Sequence, residues 1–328
     1  MRFGDFVGNE RAKRPVAADI DAGRFPHALL LEGEAGSGRK TLAKIIARAA
    51  VCRGEGERPC GACDACRKSE HPDVMLYGGE SGVPLSVDAV RAIRQQAYIL
   101  PNEAAYRVMI LADAQTMSTQ AQNALLKILE EPPRRVIFIL TCENRTQMLE
   151  TIRSRCVCVS LGSVDWDEAE AVLRARLPRA DAEELRRAHN LFGGRIGRVM
   201  DAMQDGTFRR VLELTSQFAE AVIAPTELPL LRLTATLEKN KELTAAVLAS
   251  LLLVFRDALT LAYGGEVCLS TAPDAARALA ARLSGRRLCA LVKETQGLQV
   301  ALSRNMNNTL FLTRMSACLR RAADGTAR

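Results

Sequence analysis

The segment from His27 to Thr41 constrains the fold more than any other in this 328-residue chain. An apolar strand, Ala28 to Leu31, runs into a turn with glycines at 33, 36 and 38, and Leu42, Ile45, Ile46 and Ala49 then recur at helical spacing. Strand, glycine turn and helix in that order build a phosphate-binding loop of the P-loop kind, in which backbone N–H groups at a helix N-terminus converge on an anion. Glycine lets the chain curl there without a Cβ in the way.

Four later apolar runs predict further strands of a parallel sheet: Val74 to Tyr77, Arg107 to Ala112, Val136 to Thr141 and Val157 to Leu161. Between them Ser86 should cap a crossover helix reaching Tyr98, and Ser118 another reaching Glu131. The second stops at Pro132-Pro133, because proline bars continuation. Ala121, Leu125 and Leu129 are its expected buried stripe, and His71-Pro72 needs to do no more than turn the chain into the second strand. Residues 1–161 are therefore expected to form an α/β P-loop domain with a parallel sheet. Beyond them the pattern turns helical. Asp165 to Leu177 and Ala182 to Phe192, ended by Gly193-Gly194, make a small helical lid over 162–208, and an all-α domain occupies 209–328.

The chemistry of the loop departs from the standard pattern, G-x4-G-K-[ST]. Counted from Gly33 and Gly38, Arg39 stands in the lysine position and Lys40 in that of the magnesium-binding hydroxyl. A slip of one residue restores the pair Lys40-Thr41 but makes the loop one residue too long. Arginine does not simply replace lysine at a cramped phosphate site. The strand ending at Ala112-Asp113 has the apolar run of a Walker B strand, where an Asp holds magnesium and a neighbouring Glu polarises water. Here those positions read Ala112 and Asp113, so hydrolysis should be very slow or absent. The candidate nucleotide-binding set is Gly33, Gly36, Ser37, Gly38, Arg39, Lys40 and Thr41, with Asp113. ATP or ADP binding and a loop kept only for its fold both remain open.

Ten cysteines without a secretion signal point to a reducing, cytoplasmic compartment, where clustered thiols are more often metal ligands than disulfides. Cys52, Cys60, Cys63 and Cys66 fall within 15 residues, interleaved with Gly54, Gly56, Pro59 and Gly61. Four thiolates fill every position of a tetrahedral Zn2+ ion and leave no place for water, so the metal would be structural. A set of free thiols in a loop is the alternative. The other six, Cys142, Cys156, Cys158, Cys268, Cys289 and Cys318, are scattered and expected to be small buried hydrophobes. Met1 to Phe6 lacks the apolar stretch of a signal peptide. The uncharged run Leu243 to Phe255 is too short to span a bilayer and reads as a core helix, so no membrane association is expected. A net charge of +7 permits contact with nucleic acid and argues little more.

Several stretches taken together carry a family resemblance. Phe6-Val7-Gly8-Asn9, the glycine loop, the four-cysteine insert after its helix, His71-Pro72-Asp73-Val74, Asn123-Ala124-Leu125-Leu126-Lys127-Ile128-Leu129-Glu130-Glu131-Pro132-Pro133 and Ser154-Arg155-Cys156 resemble the AAA+ clamp-loader subunits of bacterial DNA polymerase III. Two kinds of subunit share these stretches. The motor kind, tau/gamma, has an intact Lys-Thr pair and an Asp-Glu Walker B; this chain lacks the second and holds the first only in slipped register, so it looks like the delta-prime kind. That resemblance implies a poor or inactive ATPase whose Arg155 acts in trans, as an arginine finger on a neighbouring motor's ATP. It implies a helical collar over 209–328, to which Asn305 to Leu310 is similar, and a hetero-oligomer with motor and delta subunits that loads a sliding clamp on primed DNA during replication. Gly197 falls where the family's sensor-2 arginine is expected, with Arg195 or Arg198 as substitutes.

Blander alternatives stand beside these. Arg155 could merely salt-bridge a helix end. The whole chain could be an active ATPase using Lys40, Thr41 and Asp113, which Ala112 opposes. It could also be a stand-alone zinc and DNA-binding module, against which an aromatic fraction of 4% leaves few stacking platforms.

Overall fold

The computed structural model describes residues 1–79, 85–238, 240–266, 269–304 and 307–325. It divides into two compact units, Met1–Val172 with Arg195–Gly197, and Leu173–Gly194 with Arg198–Arg328.

The first unit holds five parallel strands, β1 (Ala28–Glu32), β2 (Val74–Gly78), β3 (Arg107–Ala112), β4 (Val136–Cys142) and β5 (Val157–Ser160), in the order β2-β3-β4-β1-β5. The register is continuous across the centre, with Leu30 opposite Leu140 on one side and Cys158 on the other. Every residue of β3 and β4 is buried. Successive side chains therefore feed two cores. Leu29, Leu31, Val108, Ile110, Ile137 and Ile139 enter one, with α1 (Glu10–Asp21) and α2 (Arg39–Val51). Ala28, Leu30, Met109, Leu111, Phe138 and Leu140 enter the other, with α4 (Val87–Ala97) and α5 (Thr119–Glu130); the short α3 (Asp64–Arg67) lies in the cysteine segment.

Local chemistry places these helices. The Ser86 hydroxyl accepts from Ala89 N–H and the Ser118 hydroxyl from Ala121 N–H, each at 3.2 Å, meeting orphan donors of the first turn. Ala121, Leu125 and Leu129 are buried as their spacing requires, joined by Gln122 and Ile128. Strand β3 matches its predicted bounds, and the other four strands end one residue from theirs.

After the short α6 (Glu150–Arg153) and β5, the chain is helical: α7 (Trp166–Arg176), α8 (Ala182–Leu191), α9 (Ile196–Gln204), α10 (Thr207–Val222), α11 (Leu228–Ala235), α12 (Lys241–Ala262), α13 (Pro273–Arg282), α14 (Gly285–Ser303) and α15 (Asn308–Asp324). In the second unit α12 packs against α10, α13 and α14, with Phe208, Phe218, Phe255 and Phe311 fully buried. Helix α12 is longer than the run Leu243 to Phe255 suggested: continuing through Arg256 and Asp257, it is long and apolar enough by length and composition alone to cross a membrane, a test that a core helix also passes, and half of its apolar window is buried. The helix nonetheless carries buried polar anchors. Asp257 accepts from Ser270 N–H at 2.6 Å and Ser250 bonds Thr271 at 2.8 Å, fixing the approach to α13.

The scattered cysteines are also not uniform. Cys142 and Cys318 are buried, Cys156 and Cys289 half-buried, and Cys158 is exposed on β5, which among the described residues pairs only with β1. Cys268, Asn305 and Met306 lie outside the described residues.

Candidate functional site

The glycine loop joins β1 to α2. Gly38 caps the helix in the left-handed region (φ 91°) with its carbonyl accepting from Leu42 N–H at 2.8 Å, and Arg39 is the first helical residue. A Cβ on Gly38 would also stand 2.6 Å from the Phe6 ring. The helix therefore starts at Arg39, with Lys40 as its second residue.

The Arg39 side chain is buried beneath the loop rather than presented to solvent, 8% exposed. One Nη donates to the Gly33 carbonyl; the other donates to Asp113 Oδ1 at 2.8 Å and to Glu143 Oε1 at 3.3 Å. Lys40 Nζ takes the other Asp113 oxygen at 2.8 Å. Asp113 sits in the left-handed region (φ 53°) and donates its N–H to Thr141 Oγ1 at 3.0 Å. Burial resists ionisation of Asp113, but the hydrogen bonds from Lys40 and Arg39 outweigh it and hold the carboxyl below the usual carboxylate range. Both cations of the loop are thus engaged by the Asp113 carboxylate. Ala112 beside it is buried and offers no ligand, and Thr41 is exposed. The Ser37 hydroxyl is buried with no hydrogen-bond partner among the described residues.

The backbone around Gly197 closes onto this loop. Gly197 N–H donates to the Gly36 carbonyl at 3.0 Å, and a Cβ at 197 would lie 2.9 Å from that same oxygen. Only glycine fits there. Of the two suggested substitutes, Arg195 pairs with Glu34 of the loop at 2.7 Å, and Arg198 pairs with Glu242 at 3.6 Å.

The four cysteines converge. Their sulfurs all lie within 4.8 Å of one another, with Cys52 to Cys63 and Cys60 to Cys66 each 4.0 Å apart. Cys60 N–H and Cys63 N–H point at sulfurs, at 3.4 and 3.3 Å. Gly54 permits the approach, since a Cβ there would stand 2.6 Å from Cys60 Sγ. The backbone N–H of Arg53 holds the Cys63 thiol down at about 6, whereas burial pushes Cys66 up to about 12. Four sulfurs so placed form a closed set able to hold one metal ion.

Arg155 follows α6 and is half-buried. It ion-pairs through Nη2 with Glu130, the last residue of α5, at 2.7 Å, and donates through Nη1 to the Thr151 carbonyl at 2.8 Å and the Ser154 hydroxyl at 3.2 Å. Arg155 thus makes the helix-end ion pair weighed from the sequence.

Several participants were not singled out from sequence. Glu143, one residue beyond β4, reaches Arg39 only because β4 lies beside the loop strand. Asp73 accepts three N–H bonds, from Asn102, Glu103 and Ala104, at 2.6 to 2.9 Å. Glu103 in turn meets Arg53, Lys68 and His71, which ties the cysteine segment to the entry of β2. The one local signal was the acidic residue in His71-Pro72-Asp73 at a strand start. The remaining partners are too far apart in the chain for spacing to reveal.

Residues 8–165 match the family model described as DNA polymerase III, delta subunit. DNA polymerase III subunit gamma/tau of Mycobacterium tuberculosis (strain ATCC 25618 / H37Rv) is 38% identical over 165 residues, which are 47% of this chain and 27% of that protein. DNA polymerase III subunit delta' of Yersinia pestis is 35% identical over 148 residues, 44% of each chain. The chain spans less than half the length of either relative. Among solved structures, a gamma subunit-related protein of Thermotoga maritima aligns over 96% of this chain and 100% of its own, at 17% identity and a TM-score of 0.45.

Proposed function

We propose that the chain is a clamp-loader subunit of the AAA+ family, of the non-motor delta-prime kind, working by position rather than by hydrolysis. The observation that carries this reading is the engagement of Arg39 and Lys40 with Asp113 while Arg39 also occupies the Gly33 carbonyl. A motor needs its loop cation free for a phosphate and its Walker B carboxylate free for metal or water. Here each neutralises the other, the metal position is Ala112, and the Gly197 backbone rests on Gly36. The fold is compatible with nucleotide, whose phosphates backbone N–H groups at the α2 N-terminus could still hold. The residues present do not fit magnesium-assisted hydrolysis.

In this reading the four cysteines hold a structural Zn2+. Thiolates about 2.3 Å from a tetrahedral zinc stand about 3.8 Å apart, close to the 4.0 Å of the two short sulfur pairs. The ion needs no open position and takes no part in chemistry. Residues 162–208 serve as the lid and 209–328 as the collar that joins this chain to tau/gamma motor and delta subunits in the cytoplasm. Arg155 reaches a neighbouring motor's ATP, where a guanidinium meets charge building on the γ-phosphate. The assembled product is a sliding clamp placed on primed DNA.

The rival reading is an active motor in slipped register. The isolated chain, with and without primed DNA, decides between them by steady-state ATP turnover. Negligible turnover, unchanged in Lys40→Ala, is expected. A rate of about 1 per second, an ordinary slow enzyme value, that is lost in Lys40→Ala would establish the motor instead.

A further inference from the structure

We propose that Glu130 is a positioning residue for Arg155, holding its guanidinium folded back on the end of α5 until a phosphate of a neighbouring subunit competes for it. This rests on the reading of Arg155 as a group that acts in trans.

The geometry supplies the two positions. Arg155 is anchored on its Nη1 side by its own segment, through the Thr151 carbonyl and the Ser154 hydroxyl, while its Nη2 side is taken, among the described residues, by Glu130 alone, at 2.7 Å. The anchored side fixes where the guanidinium sits; the Glu130 side is the one an incoming anion would have to win. Both side chains reach solvent, 33% exposed for Arg155 and 46% for Glu130, so the pair opens without unfolding anything. Glu130 is also oddly placed for a merely local role. It ends α5, with Glu131 as the C-cap, where the helix dipole disfavours acidic side chains. Arg155 offsets that cost while it stays folded back. A phosphate group carries more charge than a carboxylate, so at the Nη2 side it competes with an exposed carboxylate held by a single contact.

A latch and a brace give opposite signs. If Glu130 competes with phosphate, its neutral isostere frees Arg155; if Glu130 holds Arg155 in a productive pose, the same change disables it. The first test uses the full chain alone. Phenylglyoxal labelling of Arg155, followed by mass spectrometry of its peptide, should run about 1.5- to 5-fold faster in Glu130→Gln, the range that an exposed ion pair converts to. Glu130→Asp, which keeps the charge on a shorter arm, should fall between. Labelling at the wild-type rate overturns the proposal. The second test uses the complex with motor subunits. Glu130→Gln should lower KM for ATP by a similar factor without lowering kcat, and the change should vanish in Arg155→Ala/Glu130→Gln. A fall in kcat, or a rise in KM, makes Glu130 a brace and overturns the latch. If Arg155→Ala alone leaves the complex unaltered, the trans reading is what has failed. Faster labelling of the free chain then still supports Glu130 holding Arg155, and unaltered labelling overturns that as well.

Discussion

Replacing Arg39 by alanine probes the self-filled loop directly. The side chain removed is almost fully buried and joins three strand ends: the Gly33 carbonyl after β1, Asp113 after β3 and Glu143 after β4. Breaking a buried ion pair by deleting one partner costs about 3–5 kcal/mol when the other charge is left alone. Asp113 is not left alone, because Lys40 remains 2.8 Å away, and Glu143 is half exposed and screened by water. The expected loss is therefore nearer about 2–3 kcal/mol, which for a unit of this size lowers its melting temperature by about 5–10 °C. Differential scanning calorimetry of the full chain reads it. The pH dependence follows from Asp113. Its folded-state pKa lies below the unfolded one, so its stabilisation is complete above about pH 4 and is lost as pH falls through the folded value. Removing Arg39 weakens that depression, so the gap between wild type and variant should narrow below about pH 4. A melting temperature at pH 7 within about 1 °C of wild type, or a gap that does not narrow in acid, would refute the idea that Arg39 staples the strand ends.

Two further perturbations act on neighbouring parts of the same unit. Cys63→Ser removes one of four sulfurs, and metal analysis should fall from about one zinc per chain to well below it. Limited proteolysis should then open residues 52–66 while the sheet's own unfolding transition persists, because that loop gives the first core only Ala65, with Cys63 packed against it, and gives the second core nothing. Full zinc content in the variant would contradict the four-sulfur site. Gly197→Ala places a Cβ 2.9 Å from the Gly36 carbonyl, a backbone atom that cannot swing aside. Urea unfolding should register a loss of about 1–3 kcal/mol, the cost of overpacking, and an unchanged midpoint would show that the contact yields.

Much of the first unit was legible in the chain because its signals are local. An apolar run bounded by turn formers becomes a buried strand, as Arg107 to Ala112 did; Ser86 and Ser118 cap the helices they precede; and four cysteines within 15 residues cannot avoid one another. The direction of Arg39 was not legible. Its sequence position allowed either a phosphate-facing or an inward guanidinium, and the choice depends on Asp113 and Glu143, 74 and 104 residues away. The exposure of Cys158 escaped for a similar reason, since nothing in its neighbours says that β5 is an edge strand. Helix α12 outran its apolar core because Asp257, a charge that reads as an end signal, is buried and bonded to Ser270 instead.

The central claim, a non-motor subunit that supplies Arg155 to a neighbour, is tested most directly by the clamp- and DNA-stimulated ATPase of the reconstituted complex carrying Arg155→Ala in this chain. Arginine fingers supplied in trans raise GTPase rates by about 10³ to 10⁵, but only the motor site bordering this chain would lose its finger, so a smaller drop in the whole-complex rate is expected. Clamp loading should slow with it, while subunit stoichiometry and zinc content stay as in wild type. A complex that assembles normally and both hydrolyses ATP and loads clamps at the wild-type rate would contradict the claim, leaving Arg155 as the partner of Glu130 and nothing more.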